Sequence, residues 1–229
     1  MIDRDSITRA AEFHGHMCPG LAMGIRAAEV ALREIGPHSA DEEIVAIVET
    51  DMCGVDAIQF LTGCTFGKGN LVHRDHGKNV YTFVRRSDGR ALRISLRPGG
   101  WGPQDPELGR TRAAITVGTA NEDERQRFWS QQRQRSEHIL TQPLEELYEI
   151  RDVDLAAPRR ARIHTSVECA ACGEPTMETR IRRLEGQELC LPCFEQRLAD
   201  TAMVSLSSTA GVSGRIASSA GPAEPGLDR

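Results

Sequence analysis

Residues 14–18 bring two imidazoles and a thiol into five positions, His14-Gly15-His16-Met17-Cys18, and Pro19-Gly20 then opens an apolar run. Imidazole nitrogen and thiolate sulfur together are the ligand set of zinc and of softer transition metals. On extended backbone, positions i, i+2 and i+4 point the same way, which would put His14, His16 and Cys18 on one side. Pro19 suits a first helical turn, where its missing N–H would have had no partner anyway. Cys18 then stands at a helix N-terminus, where the macrodipole favours negative charge and a thiolate is the reactive or metal-binding form. Cys53 and Cys64 complete the candidates for this core site. Cys53 precedes a short helix and Cys64 closes it, roughly 12–15 Å further along the axis at 1.5 Å per residue, so the two need not share an ion. His73 and Asp75-His76 are further candidates, with exposed loop residues as the simpler reading. Fewer than four protein ligands would leave an open coordination position, as a catalytic or carrier site requires.

A second cysteine set is more specific. Cys169-x-x-Cys172 and Cys190-x-x-Cys193 are two C-x-x-C pairs separated by seventeen residues. Each pair makes a turn whose sulfurs converge, and the spacing leaves room for a hairpin, as in a four-thiolate zinc ribbon. Four ligands close the tetrahedral shell, so this Zn2+ is expected to be structural. About forty residues would hardly fold without such a staple.

The elements that must position these groups read as follows. Ser6 to Phe13 is a short helix with Ser6 as cap. Leu21, Ile25, Ala28, Leu32 and Ile35 recur at helical spacing, and Gly24, Ala27, Ala28 and Ala31 keep that helix slim enough for close packing. Ile44 to Val48 is a β-branched run of a strand buried on both faces. Val55 to Leu61 is a short helix. Gly63-Cys64-Thr65-Phe66-Gly67-Lys68-Gly69-Asn70 looks like a phosphate loop, but its glycine spacing is one short and no Ser or Thr follows Lys68. Asn79 to Arg86 and Arg90 to Arg97 are strands around Asp88-Gly89, a hairpin signal. Their arginines are expected to protect a sheet edge rather than bind anions. A helix is expected over 106–120 and a very polar one over 123–150, kinked or split by Pro143; the latter lies on the surface or forms a dimer contact. Together these give an α+β core at 1–157, a zinc ribbon at 158–200 and, from Thr201, a Ser/Ala/Gly/Pro tail too poor in apolar residues to order.

The chain has 229 residues, seven cysteines and a net charge of −5. That charge argues against a nucleic-acid footprint over the whole chain. No run approaches a membrane span, and Met1-Ile2-Asp3-Arg4-Asp5 lacks a signal-peptide core, so a cytoplasmic location is the expectation. Cysteines grouped with histidines or in short pairs suggest metal rather than disulfides.

Phe13-His14-Gly15-His16-Met17-Cys18-Pro19-Gly20, Cys53-Gly54-Val55-Asp56-Ala57-Ile58-Gln59, the run Thr62 to Asn70 and Asp75-His76-Gly77-Lys78 resemble the FmdE family of formylmethanofuran dehydrogenase over about Ile7 to Leu155. Cys169 to Cys193 is similar to four-cysteine zinc fingers of TraR/DksA type. The resemblance implies an α+β domain, often a homodimer, sometimes with the finger exchanged between protomers. It implies an accessory protein of molybdenum or tungsten oxidoreductases that is not itself the molybdenum or tungsten centre. Cys18, Cys53 and Cys64, with His14 or His16, carry over as the core site. Three functions stay open. One is an accessory protein with a transition metal or thiolate in the core, in a larger oxidoreductase complex. Another is an enzyme using Cys18 or Cys53 as thiolate, with His14 or His16 as base. The third is a regulator whose ribbon, biased basic by Arg159, Arg160, Arg162, Arg180, Arg182 and Arg183, binds protein or nucleic acid.

Overall fold

The structure is a computed structural model that describes residues 2–101 and 106–209, with side chains through Thr201. The chain divides into two compact units, the first ending at Ala161 and the second starting at Arg162.

In the first unit, helix α1 (Arg4–His14) is capped by Asp3, whose carboxylate accepts from the Ser6 amide at 2.9 Å. The cap is therefore three residues earlier than Ser6. Helix α2 (Pro19–Glu34) begins directly after Cys18 and is buried along nearly its whole length. Strand β1 (Ile44–Val48) leads to helix α3 (Gly54–Thr62). Strands β2 (Leu71–His73), β3 (Val80–Arg85), β4 (Ala91–Leu96) and β5 (Tyr148–Asp152) complete a five-stranded sheet in the order β2-β1-β3-β4-β5. Only β1 and β2 are parallel; the other neighbours are antiparallel. Ile44, Ala46 and Val48 alternate into the core with Tyr81, Phe83, Leu92 and Ile94, as the two-residue period of a strand requires. Val45 and Ile47 are buried as well, so β1 is covered on both faces as its apolar run suggests.

Three differences from the sequence reading have physical causes. The β3–β4 register pairs Val84 with Ala91 and leaves a wider connection than a two-residue turn; Asp88 closes it by accepting from Arg85 and from the Arg90 amide. The expected helix over 106–120 is α4 (Pro106–Thr116), which stops short at Gly118, where φ is +78°. The long polar helix is α5 (Glu122–Thr141), followed by a single turn, α6 (Leu144–Leu147), and then β5. Pro143 splits the expected helix, standing between α5 and α6. β5 pairs with β4 along its length, and the Tyr148 hydroxyl donates to Met23 O at 2.7 Å, so sheet edge and helix α2 are tied together.

The arginines of the hairpin are spent inside the chain. Arg85 reaches Asp88 and Ile35 O, Arg86 reaches Glu42 O, Arg90 reaches Glu34, and Arg97 reaches Glu145 O. Lys68, in the phosphate-loop look-alike, donates to Ser39 O at 2.9 Å. Arg93 grips Glu49 with both terminal nitrogens, and His76 Nδ1 adds a contact at 3.2 Å. The Arg93 guanidinium holds the buried Glu49 carboxyl below its ordinary value of 4.5, against the opposing effect of burial. A depressed folded pKa adds stability above the unfolded value, and that stability is lost as pH falls through the folded one. Glu49→Gln is therefore expected to cost about 1–3 kcal/mol at pH 7, the range for hydrogen bonds to charged groups. It should also flatten the loss of stability below about pH 4.5. Urea midpoints at pH 7 and pH 3.5 check both, and equal slopes with pH in the two proteins would refute it.

In the second unit, hairpin β6 (Ser166–Glu168) with β7 (Pro175–Met177) precedes hairpin β8 (Arg182–Leu184) with β9 (Gln187–Leu189). A short 3₁₀ turn, Glu178–Arg180, separates them. Helix α7 (Leu191–Thr209) follows. The tail expected from Thr201 thus begins inside a helix, and the rest of that expectation lies outside the described residues.

Candidate metal sites

Glycine contact decides where the first site forms. A Cβ at Gly24 of α2 would lie 2.1 Å from Gly54 O of α3, and one at Gly54 would lie 2.3 Å from the Tyr81 hydroxyl. Bare backbone at both positions lets the two helices touch, and their N-termini emerge side by side. Cys18 is the N-cap of α2, its sulfur accepting from the Leu21 amide at 3.3 Å. Cys53 is the residue before α3. A Cβ at Gly20 would meet Cys53 Sγ at 3.7 Å and Cys18 Sγ at 3.9 Å, so this glycine keeps the space between the thiols open.

His14 lies at the C-terminal end of α1, and Gly15 turns the chain with φ +96°. The backbone over 14–18 is thus a helix end and a turn, not a strand. Even so, one ligand atom each of His14, His16 and Cys18 lies within 4.8 Å of the others. The His14 and His16 rings stack at 4.9 Å between centroids. His14 Nδ1 is 2.6 Å from Asp56 Oδ2, and Nε2 is 3.9 Å from Cys18 Sγ. The carboxylate fixes the ring by one nitrogen and aims the other at the thiol, the arrangement that orients metal-binding histidines. Tetrahedral Zn–N and Zn–S bonds of about 2.0 and 2.3 Å would set nitrogen and sulfur about 3.6 Å apart, close to this spacing. Burial, the adjacent Cys18 thiol and Asp56 push the Cys53 thiol up. Cys53 is not among the three residues whose ligand atoms lie within 4.8 Å of one another, but its thiol neighbours that of Cys18.

Cys64 is elsewhere. It is fully buried in the core, its thiol donating to Ile44 O at 3.4 Å, and burial pushes its pKa up. The helix between Cys53 and Cys64 carries them apart, and the structure does not bring Cys64 to the cluster. His73 ends β2, and His76 pairs with Glu49, so neither joins it. Asp56 is the residue that sequence reasoning passed over. It stands three positions after Cys53, one helical turn on, and so faces the same way.

Above the thiols lies a cavity of about 510 Å3. Cys18, Cys53, Gly20 and His16 form one side, and Trp101, Arg112, Phe128, Trp129, Gln132 and Arg135 form the other. Helix α5 reaches it because Phe128, Gln132, Ser136 and Ile139 make one buried stripe. The polar helix is therefore a wall of this cavity.

The second site is the ribbon. The Sγ atoms of Cys169, Cys172, Cys190 and Cys193 all lie within 4.8 Å of one another, with Cys172 and Cys190 at 3.9 Å. A tetrahedral zinc with Zn–S of about 2.3 Å requires sulfurs about 3.8 Å apart, so the four fit the ion. Amide donors from Cys172, Cys190 and Ala171 lower the Cys169 thiol to about 6, while the neighbouring sulfurs push Cys193 up to about 12.

A small mixed sheet with thiols at two touching helix N-termini, joined to a four-cysteine ribbon, defines a two-unit zinc-finger protein with a second Cys/His cluster. A family model described as FmdE, molybdenum formylmethanofuran dehydrogenase operon, matches residues 13–149, and the chain belongs to that family. The prokaryotic dksA/traR C4-type zinc finger matches residues 163–197. A protein of Archaeoglobus fulgidus, described as a probable S-adenosyl-L-methionine-binding protein, is 33% identical over 197 residues. The match covers 82% of this chain and 52% of the relative, so the chain spans about half of that relative's length. The crystal structure of a tungsten formylmethanofuran dehydrogenase FmdE-like protein from Syntrophus aciditrophicus has a TM-score of 0.54 at 24% identity, covering 82% of this chain and 90% of that one. At that identity the likeness concerns the fold. No helix among the described residues is long and apolar enough to cross a membrane.

Proposed function

We propose that this protein is a metal-binding accessory protein of molybdenum or tungsten oxidoreductases. In this reading His14, His16, Cys18 and Cys53 hold a transition-metal ion in the core, and the ribbon zinc is structural. The observation that carries it is the line from Asp56 through His14 to the Cys18 sulfur, ending beside a second thiol. A metal with an open position there supplies Lewis acidity or a transferable ion. The chain's own part is to fix the His14 tautomer through Asp56 and to keep two sulfurs at the cavity floor. The ribbon would dock a larger oxidoreductase complex, a setting in keeping with the family's operon description, and the protein would act in the cytoplasm as a homodimer.

Metal analysis of anaerobically purified protein tests the reading. Wild type is expected to carry two metals per chain and Cys18→Ser one. Serine is a good N-cap, so α2 should survive the change. One metal in both proteins would overturn the core site.

The same Asp56–His14 pair also suits a second reading, a thiol enzyme in which His14 is the base for Cys18. Fast alkylation of Cys18 near neutrality in metal-loaded protein favours that reading. A thiol that reacts only after chelation favours the first.

A further inference from the structure

The cavity over the thiols has a wall that metal binding does not explain. Gln132 is 5% exposed, lines the cavity, and its side-chain nitrogen has no hydrogen-bond partner among the described residues. Arg135 Nε is buried and also lacks one, although its Nη2 donates to Trp101 O at 2.9 Å. Buried donors without acceptors cost free energy and are rare in folded proteins. Arg112 lies on the same wall, its guanidinium 6.0 Å from the Phe128 ring centre. Burial and the charge of Arg112 both push Arg135 below its ordinary pKa. Two cations share this wall, and no aspartate or glutamate among the described residues lines the cavity.

The aromatic side of the wall adds a second requirement. Phe128 and Trp129 pack edge to face at 5.1 Å, and Trp129 is still 46% exposed. Together with Trp101 they offer flat apolar surface beside the guanidinium groups. The volume, about 510 Å3, is that of a small-molecule site.

We propose that this cavity binds a small organic anion with a planar ring. Its carboxylate or phosphate meets Gln132, Arg135 and Arg112, its ring lies against Trp129 and Phe128, and its far end faces Cys18 and Cys53. Arginine forks match both oxyanions, and guanidinium and indole both stack on flat rings. The inference deepens the reading of this cluster as the functional site, because it names what is brought to the thiols. It does not depend on which metal sits there.

Both tryptophans of the chain line the cavity, so intrinsic fluorescence reports on it directly. The probes are adenosine monophosphate and nicotinate, with adenosine and nicotinamide as uncharged counterparts. Each anion is expected to change the emission saturably and to bind at least about tenfold more tightly than its neutral partner. Arg112→Gln and Arg135→Gln should each weaken the anions about tenfold and leave the neutral probes unchanged. Arg112 donates no hydrogen bond that holds the fold among the described residues, so its variant answers even if the Arg135 variant unfolds. Neutral probes binding as tightly as the anions would overturn the proposal. So would no response to either anion at about 10 mM, or undiminished affinity in Arg112→Gln. Metal content separates the two readings. Arg112→Gln should keep two metals per chain, whereas failure of the core metal shows as one metal in wild type with anion binding intact.

Discussion

Chelating zinc from the intact protein at neutral pH is expected to unfold the second unit and leave the first unit's sheet in place. The second unit buries only Cys169, Leu189 and Cys190 among its described residues, with Leu184, Cys193 and Phe194 packed around them. Its hairpins have three-residue strands. So small a cluster cannot offset the ordering of its backbone, at about 1–2 kcal/mol per residue. Four thiolates on zinc supply about 10–16 kcal/mol in comparable peptides, and that binding energy is folding energy. Amide hydrogen exchange checks it. Protection over 166–190 should vanish with chelator while protection over 44–48 and 80–96 persists. A second unit that keeps its protection without metal would refute the structural role of the ion.

Gly24→Ala is expected to destabilise the first unit by about 2 kcal/mol and to empty the core site. Alanine in a helix interior normally gains about 1 kcal/mol over glycine. Here the added methyl would fall 2.1 Å from a carbonyl oxygen and 2.5 Å from a Cα of Gly54, both backbone atoms that cannot rotate away. Overpacking of that kind costs about 1–3 kcal/mol or more, so it outweighs the propensity gain. Relief comes by separating α2 from α3, which separates Cys18 from Cys53. Gly109→Ala in α4 is the control. Its Cβ would meet nothing within 4 Å, so it should stabilise by up to about 1 kcal/mol. Urea midpoints and metal content report both effects. A Gly24→Ala protein as stable and as metal-rich as wild type would sink the close-approach account.

The sequence carried much of this at particular places. Gly24 and the alanines of α2 announced a slim helix, and α3 packs where they allow it. Pro19 and Cys18 marked a helix start and its cap. The paired C-x-x-C spacing led to the ribbon because four converging sulfurs depend on local turns alone. Other features depend on distant partners. Tyr148 to Asp152 continues the helical apolar spacing of α5 and becomes a strand only because β4 offers an unpaired edge. β2 is three residues long, too short for alternation to show. Cys64 has the residue type of a ligand, and only the length of α3 moves it away. Gln132 and Arg135 sat in the most polar stretch of the chain, where no local pattern separates a solvated face from a buried wall.

The order of synthesis follows from where the cavity's two halves sit in the chain. His14, His16, Cys18, Cys53 and Asp56 all leave the ribosome before Trp101, and the opposing wall comes from 101–135. β5, the strand that fastens α2 through Tyr148, comes later still. If the core holds a metal as proposed, a nascent chain would offer its sulfurs and imidazoles to the ion while the site is still roofless, and the aromatic and cationic wall would then close over it.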